Sequence, residues 1–148
     1  MNKLLLLSLG TLALSSCATL MTAPAAYSFK PQPTAPAGVT PSGSATVRKT
    51  SDNTMTTINL SGLAANTYYV AHYHRQGTAS EDPCLSGGVP IMASKMVGMS
   101  DGVGMATLSG SVMNTAIDGA TYLNVHTASD SAGTPADSGV ACTPVNKQ

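Results

Sequence analysis

Ala45-Thr46-Val47-Arg48-Lys49 and Met55-Thr56-Thr57-Ile58-Asn59-Leu60, joined through Ser51-Asp52-Asn53, set the fold class of this chain. Both runs alternate apolar and polar residues, the two-residue period of a strand with one face on a core. The residues between them are turn formers. Outward from this pair the pattern repeats. Ser61-Gly62-Leu63-Ala64-Ala65-Asn66 punctuates, and residues 67–75 are rich in β-branched and aromatic side chains, as a strand prefers. Residues 76–88 read as a loop holding Pro83 and Cys84. Asp101-Gly102 is a turn signal before a strand over 103–112. Residues 120–126 form another strand, 128–138 a polar loop of small residues, and 139–145 a last short strand. No segment holds a helical period. Short strands separated by turns predict an all-β sandwich or barrel.

The start of the chain reads as a targeting segment. Met1-Asn2-Lys3 is a positive n-region, and Leu4 to Leu14 is an apolar h-region shorter than a typical membrane span. Leu14-Ser15-Ser16-Cys17 resembles a bacterial lipobox. The resemblance implies a signal peptide over 1–16, cleavage before Cys17 and lipidation of that cysteine. An ordinary secretory signal is the alternative. In either case the mature chain is expected outside the cytoplasm, and under the lipoprotein reading acyl chains hold it on a membrane, facing the periplasm or the cell exterior. Residues 17–43, with Pro24, Pro31, Pro33, Pro36 and Pro41, are expected to be an extended spacer, with a short edge strand over Tyr27 to Lys30. Residues 44–148 are the expected domain.

The chain balances seven Lys and Arg against seven Asp and Glu, and charged residues are only 9% of it, so no basic stripe offers itself to nucleic acid. With one Phe and no Trp, the core must be filled by Val, Leu, Ile, Met and Tyr. Once Cys17 is set aside, Cys84 and Cys142 remain, and in an exported domain two cysteines are expected to form a disulfide. A thiolate metal site is the alternative.

The three histidines carry the candidate chemistry. In Val70-Ala71-His72-Tyr73-His74 strand alternation puts His72 and His74 on one face, with Cβ atoms roughly 7 Å apart, and Tyr73 on the other. His126 closes Tyr122-Leu123-Asn124-Val125-His126. If the two strands are neighbours, three neutral imidazoles converge, a set that suits copper or zinc. Satisfied structural histidines are the plainer alternative.

The ordered landmarks of residues 45–145 resemble the copper/zinc superoxide dismutase family. They are Gly62-Leu63, His72-Tyr73-His74 as the H-x-H copper motif, Cys84, Asp101-Gly102-Val103-Gly104, Val125-His126 and Val140-Ala141-Cys142. The resemblance implies a Greek-key β-barrel or sandwich of immunoglobulin-like architecture. It also implies copper ligation by His72, His74 and His126, and a disulfide between Cys84 and Cys142. Asp130, four residues after His126, stands where the family has an aspartate that hydrogen-bonds a ligand histidine. A chordin-like domain, which also carries H-x-H, is the nearest rival.

The departures bear equally on function. Ser86-Gly87-Gly88-Val89-Pro90-Ile91 holds no histidine where the family bridges copper to zinc. The three histidines are all the chain has, so a zinc site of family type is excluded by count. The position of the family's anion-guiding arginine is Gly139, and the loop between His126 and Cys142 has Asp130 and Asp137 but no Lys or Arg, which leaves a superoxide anion unsteered. Met96-Val97-Gly98-Met99 stands near the family's zinc-ligand run, and the soft thioethers of Met92, Met96 and Met99 are candidate extra ligands for Cu(I), or else core filler.

Three functions are consistent with these residues. The first is a lipid-anchored protein holding one copper ion and no zinc, which binds, buffers or delivers copper, with a copper donor or acceptor protein as partner, or performs slow redox chemistry. The second is an enzyme, a copper-only superoxide dismutase. The third is a metal-free structural sandwich, since fold alone does not fix function.

Overall fold

The computed structural model describes residues 23–145. The segments expected to be a signal peptide and a lipidated Cys17 lie outside the described residues. Among the described residues there are eight strands: β1 (Ala25–Pro31), β2 (Ser42–Lys49), β3 (Asn53–Ser61), β4 (Tyr68–Arg75), β5 (Met96–Met99), β6 (Ala106–Met113), β7 (Ala120–Thr127) and β8 (Ala141–Pro144). They pair antiparallel in the order β5-β4-β7-β8-β1-β2-β3-β6. The two end strands, β5 and β6, pack against each other, so the sheet is nearly closed into a barrel. The only helical pieces among the described residues are three short 3₁₀ turns.

The opening hairpin pairs as its alternation predicts, with Ala45 opposite Ile58 and Val47 opposite Thr56. Its inward row is Thr54, Thr56, Ile58 and Leu60, while Met55 faces outward. Thr56 is accommodated inside because its hydroxyl meets the Tyr73 hydroxyl at 2.8 Å. The core is completed by Phe29, Tyr69, Ala71, Tyr73, Met96, Leu108, Leu123, Val125 and Val140. Volume that Trp and Phe would supply elsewhere comes here from tyrosines and aliphatic residues.

The boundary expected at residue 44 is corrected. β2 begins at Ser42, and Ala25–Pro31, placed in the spacer by its prolines, is a strand with partners on both sides: β2 along Ala25 to Phe29 and β8 at Lys30 and Pro31. It is an interior strand of the sheet, not an edge. Proline composition misled because Pro31 ends the strand and Pro33 and Pro36 lie beyond it, so none removes a donor from its middle. β5 was not expected as a strand. It is four residues long with a glycine in it, too short for alternation to register.

Candidate metal centre

Register decides what faces the outside of the barrel. β4 and β7 are adjacent, pairing Val70 with His126, His72 with Asn124 and His74 with Tyr122. Tyr69, Ala71 and Tyr73 of β4, with Leu123 and Val125 of β7, point into the core. The other face therefore gathers His72, His74, Tyr122, Asn124 and His126 on two neighbouring strands. Loops cover this face. The 76–90 segment returns to β4, where the Arg75 amide donates to the Val89 carbonyl and Pro90 bridges His74. The 128–139 loop lies across Val70 and Val97, with Gly133 against both. As a result His72, His74 and His126 are only 1%, 5% and 8% exposed.

Their donor nitrogens lie within 4.8 Å of one another. Imidazole nitrogens bind zinc at about 2.0–2.1 Å, so small ring rotations bring all three onto one ion. The hydrogen bonding fixes which nitrogens are free. His74 Nδ1 donates to the Gly88 carbonyl at 2.9 Å, leaving Nε2 with no partner. His126 Nδ1 donates to the Asp137 carbonyl at 2.9 Å, so its Nε2 carries the lone pair. His72 has a hydrogen-bond partner on neither ring nitrogen. Buried polar atoms are almost always paired, so two imidazoles with orphaned nitrogens beside a third are a strong departure that a shared cation relieves. The residues fit a metal ion.

The supports are specific. Tyr122 stacks on His74 with ring centroids 4.7 Å apart, and its hydroxyl donates to the same Gly88 carbonyl at 3.2 Å. That carbonyl can stand there only because residue 88 is glycine: a Cβ would lie 1.7 Å from the Arg75 carbonyl oxygen. The disulfide between Cys84 and Cys142 ties the same loop to β8, so the expected pairing of these cysteines is observed.

The carboxylate beside His126 is Asp137 and not Asp130, which corrects the expectation. Asp130 is exposed and accepts from the Thr134 amide in its own turn. Asp137 approaches His126 Nδ1 twice, through its carbonyl at 2.9 Å and through its carboxylate at 3.6 Å, and the shorter carbonyl contact is the hydrogen bond. The carboxylate accepts from the Thr127 amide and hydroxyl and from the Gly139 amide. Burial pushes the Asp137 carboxyl up, but His126 and these donors outweigh it and hold it below the usual carboxylate range. Asp137→Ala keeps the backbone carbonyl but removes the carboxylate that holds it in place through Thr127 and Gly139, so it is expected to weaken metal binding roughly tenfold, and Asp130→Ala to leave it unchanged. Competitive chelator titration of both variants checks this, and equal effects would contradict it.

The methionines separate. Met96 lies opposite Ala71 and is buried in the core, its side chain against Gly110, which corrects its candidacy as a ligand. Met99 shares the histidine face but lies opposite Tyr68, four residues along β4 from His72, or roughly 13 Å at the strand rise. Met92 is largely exposed on the turn after Pro90.

Burial pushes the His72 imidazole down to about 4, helped by the positive charge that His74, His126 and Lys95 would add. Burial likewise lowers His74, against the Gly88 hydrogen bond, which raises it. These imidazoles are therefore neutral at pH 7, the state a metal needs. In the metal-free protein the same shift makes acid destabilising. Between about pH 6.5 and 4 the unfolded chain takes up a proton at His72 that the folded chain refuses, so stability falls as pH falls. Urea unfolding of metal-free protein is expected to show a loss on the order of 1 kcal/mol per pH unit across this window. A flat profile would contradict it.

Fold and site together define an all-β barrel with a buried group of three histidines able to hold a metal ion. Comparison of the sequence with protein-family models and with curated proteins found no match.

Proposed function

We propose that this chain is an exported, lipid-anchored copper-binding protein of superoxide dismutase-like, Greek-key fold. It holds one copper ion on His72, His74 and His126 and no zinc, and it binds, buffers or passes on copper. The observation that carries this reading is the convergence of three buried imidazoles whose free nitrogens have no protein hydrogen bond on His72 or on His74 Nε2. Copper is favoured over zinc by the order of divalent affinities for imidazole donors. Support for the family fold comes from the landmark residues: the H-Y-H strand, Val125-His126 and the Cys84–Cys142 pair meet around one site. Holding and transfer are favoured over turnover, because the ligands are buried under a loop that bears Asp130 and Asp137, and the ammonium of Lys95, the cation that acts on His72, is held by that loop's Ala132 carbonyl. The lipid anchor rests on Leu14-Ser15-Ser16-Cys17 alone.

Metal analysis after exposure to copper and zinc together tests the reading. One copper per chain is expected, absent from His72→Ala. No uptake, or uptake unchanged in that variant, overturns it. A superoxide-decay assay then separates holding from catalysis: activity above that of the same copper free in solution would favour the dismutase.

A further inference from the structure

We propose that Asn124 is a fourth functional group of the histidine site, a carboxamide donor for a small anion or hydroxide carried in the metal's open coordination position. The inference rests on the metal-site reading above. Asn124 lies directly across from His72 and two residues before His126, on the same face as both. It is only 5% exposed and sits between buried Leu123 and Val125.

Its amide nitrogen has two hydrogens and two destinations. One is the Ser138 carbonyl at 3.1 Å, which fixes the amide's orientation, because the opposite orientation would set two oxygens against each other. The other is His126 Nε2 at 3.3 Å. That nitrogen is the one His126 offers to a metal, since its Nδ1 is committed to Asp137. The remaining amide atom, Oδ1, is buried without a partner. The amide therefore aims an N–H at the metal-facing lone pair while its oxygen goes unpaired.

Room for the amide is made by Gly139. A Cβ there would stand 2.6 Å from both the nitrogen and the oxygen of the Asn124 amide, and the residue has φ +128, a conformation suited to glycine.

In the metal-free protein the N–H caps the His126 lone pair. When a metal takes that lone pair, the N–H loses its acceptor and is left beside a cation, which repels its positive end. An anion on the metal restores the acceptor and removes the repulsion. Three histidines leave such a position open. Asn124 thus opposes the bare metal and favours the metal–anion pair, two effects of opposite sign that a purely structural role would not produce.

Azide titration of the copper-loaded full chain, read by its charge-transfer absorption, tests this. Asn124→Leu is expected to bind copper at least as tightly as the wild type, and azide about tenfold more weakly or worse, the loss expected for a hydrogen bond to a charged acceptor. Equal azide affinity in the two proteins overturns the inference. A second measurement uses the unsubstituted chain and so does not depend on the variant folding. In a zinc-loaded, diamagnetic sample, azide is expected to shift the Asn124 side-chain amide signals, and signals that stay in place overturn the inference. Failure of the wild-type chain to take up metal at all is seen before azide is added, and it overturns the metal-site reading itself.

Discussion

His72→Leu is expected to abolish metal binding and yet to raise the melting temperature of the metal-free domain. The two effects share one cause. His72 is 1% exposed, and neither of its ring nitrogens has a hydrogen-bond partner. A buried polar group left unpaired costs about 1–3 kcal/mol, and leucine of similar bulk removes that penalty. A structural zinc site releases about 10–16 kcal/mol through four ligands, which suggests roughly 3 kcal/mol per ligand, more than a hundredfold in affinity. Calorimetric melting with and without metal reads both effects. Wild type is expected to gain stability from metal, while His72→Leu starts higher and gains nothing. If the variant were less stable metal-free and metal moved neither protein, the histidines would be packing residues and the copper reading would fail. Stability surrendered at a buried site in this way is typical of groups retained for function.

Reducing the Cys84–Cys142 disulfide is expected to have the second large effect. It closes a loop across a sequence separation of 58 residues, and a loop of that length stabilises a fold by about 4 kcal/mol in the chain-entropy model. That is a large share of the about 5–15 kcal/mol holding a typical domain, and would lower the melting temperature by roughly 15 °C. The consequence reaches the site, because the tethered loop carries the Gly88 carbonyl that orients His74 and Tyr122. Melting and metal affinity measured with and without reductant, and in the Cys84→Ser, Cys142→Ser double variant, are expected to fall together. Unchanged metal affinity in a destabilised domain would show that the strands alone place the histidines.

How much of this could be read along the chain depends on the range of each signal. Two-residue alternation is local, so β2, β3, β4 and β7 were legible, and so was the shared face of His72 and His74. The same alternation places Asn124 beside His126. The polar residue in the buried run Tyr122-Leu123-Asn124-Val125-His126 is the sequence signal for it. Asp137 had no such signal. Choosing between two aspartates in a small-residue loop requires knowing how that loop folds back, and the amides of Thr127 and Gly139 decide it.

By itself the sequence determined the all-β class, a pair of cysteines within the domain and a histidine set too small for a zinc site of the family type, because these follow from composition, count and near-neighbour period. Only the tertiary structure decided that β1 is interior, that β4 and β7 stand in a register bringing His126 to His72 and His74, that Met96 belongs to the core, and that Asp137 and Asn124 flank the site. Each of those depends on strand pairing or loop return between residues far apart in the chain. The hydrogen bonds and packing that choose among such partners exist only once the barrel has closed.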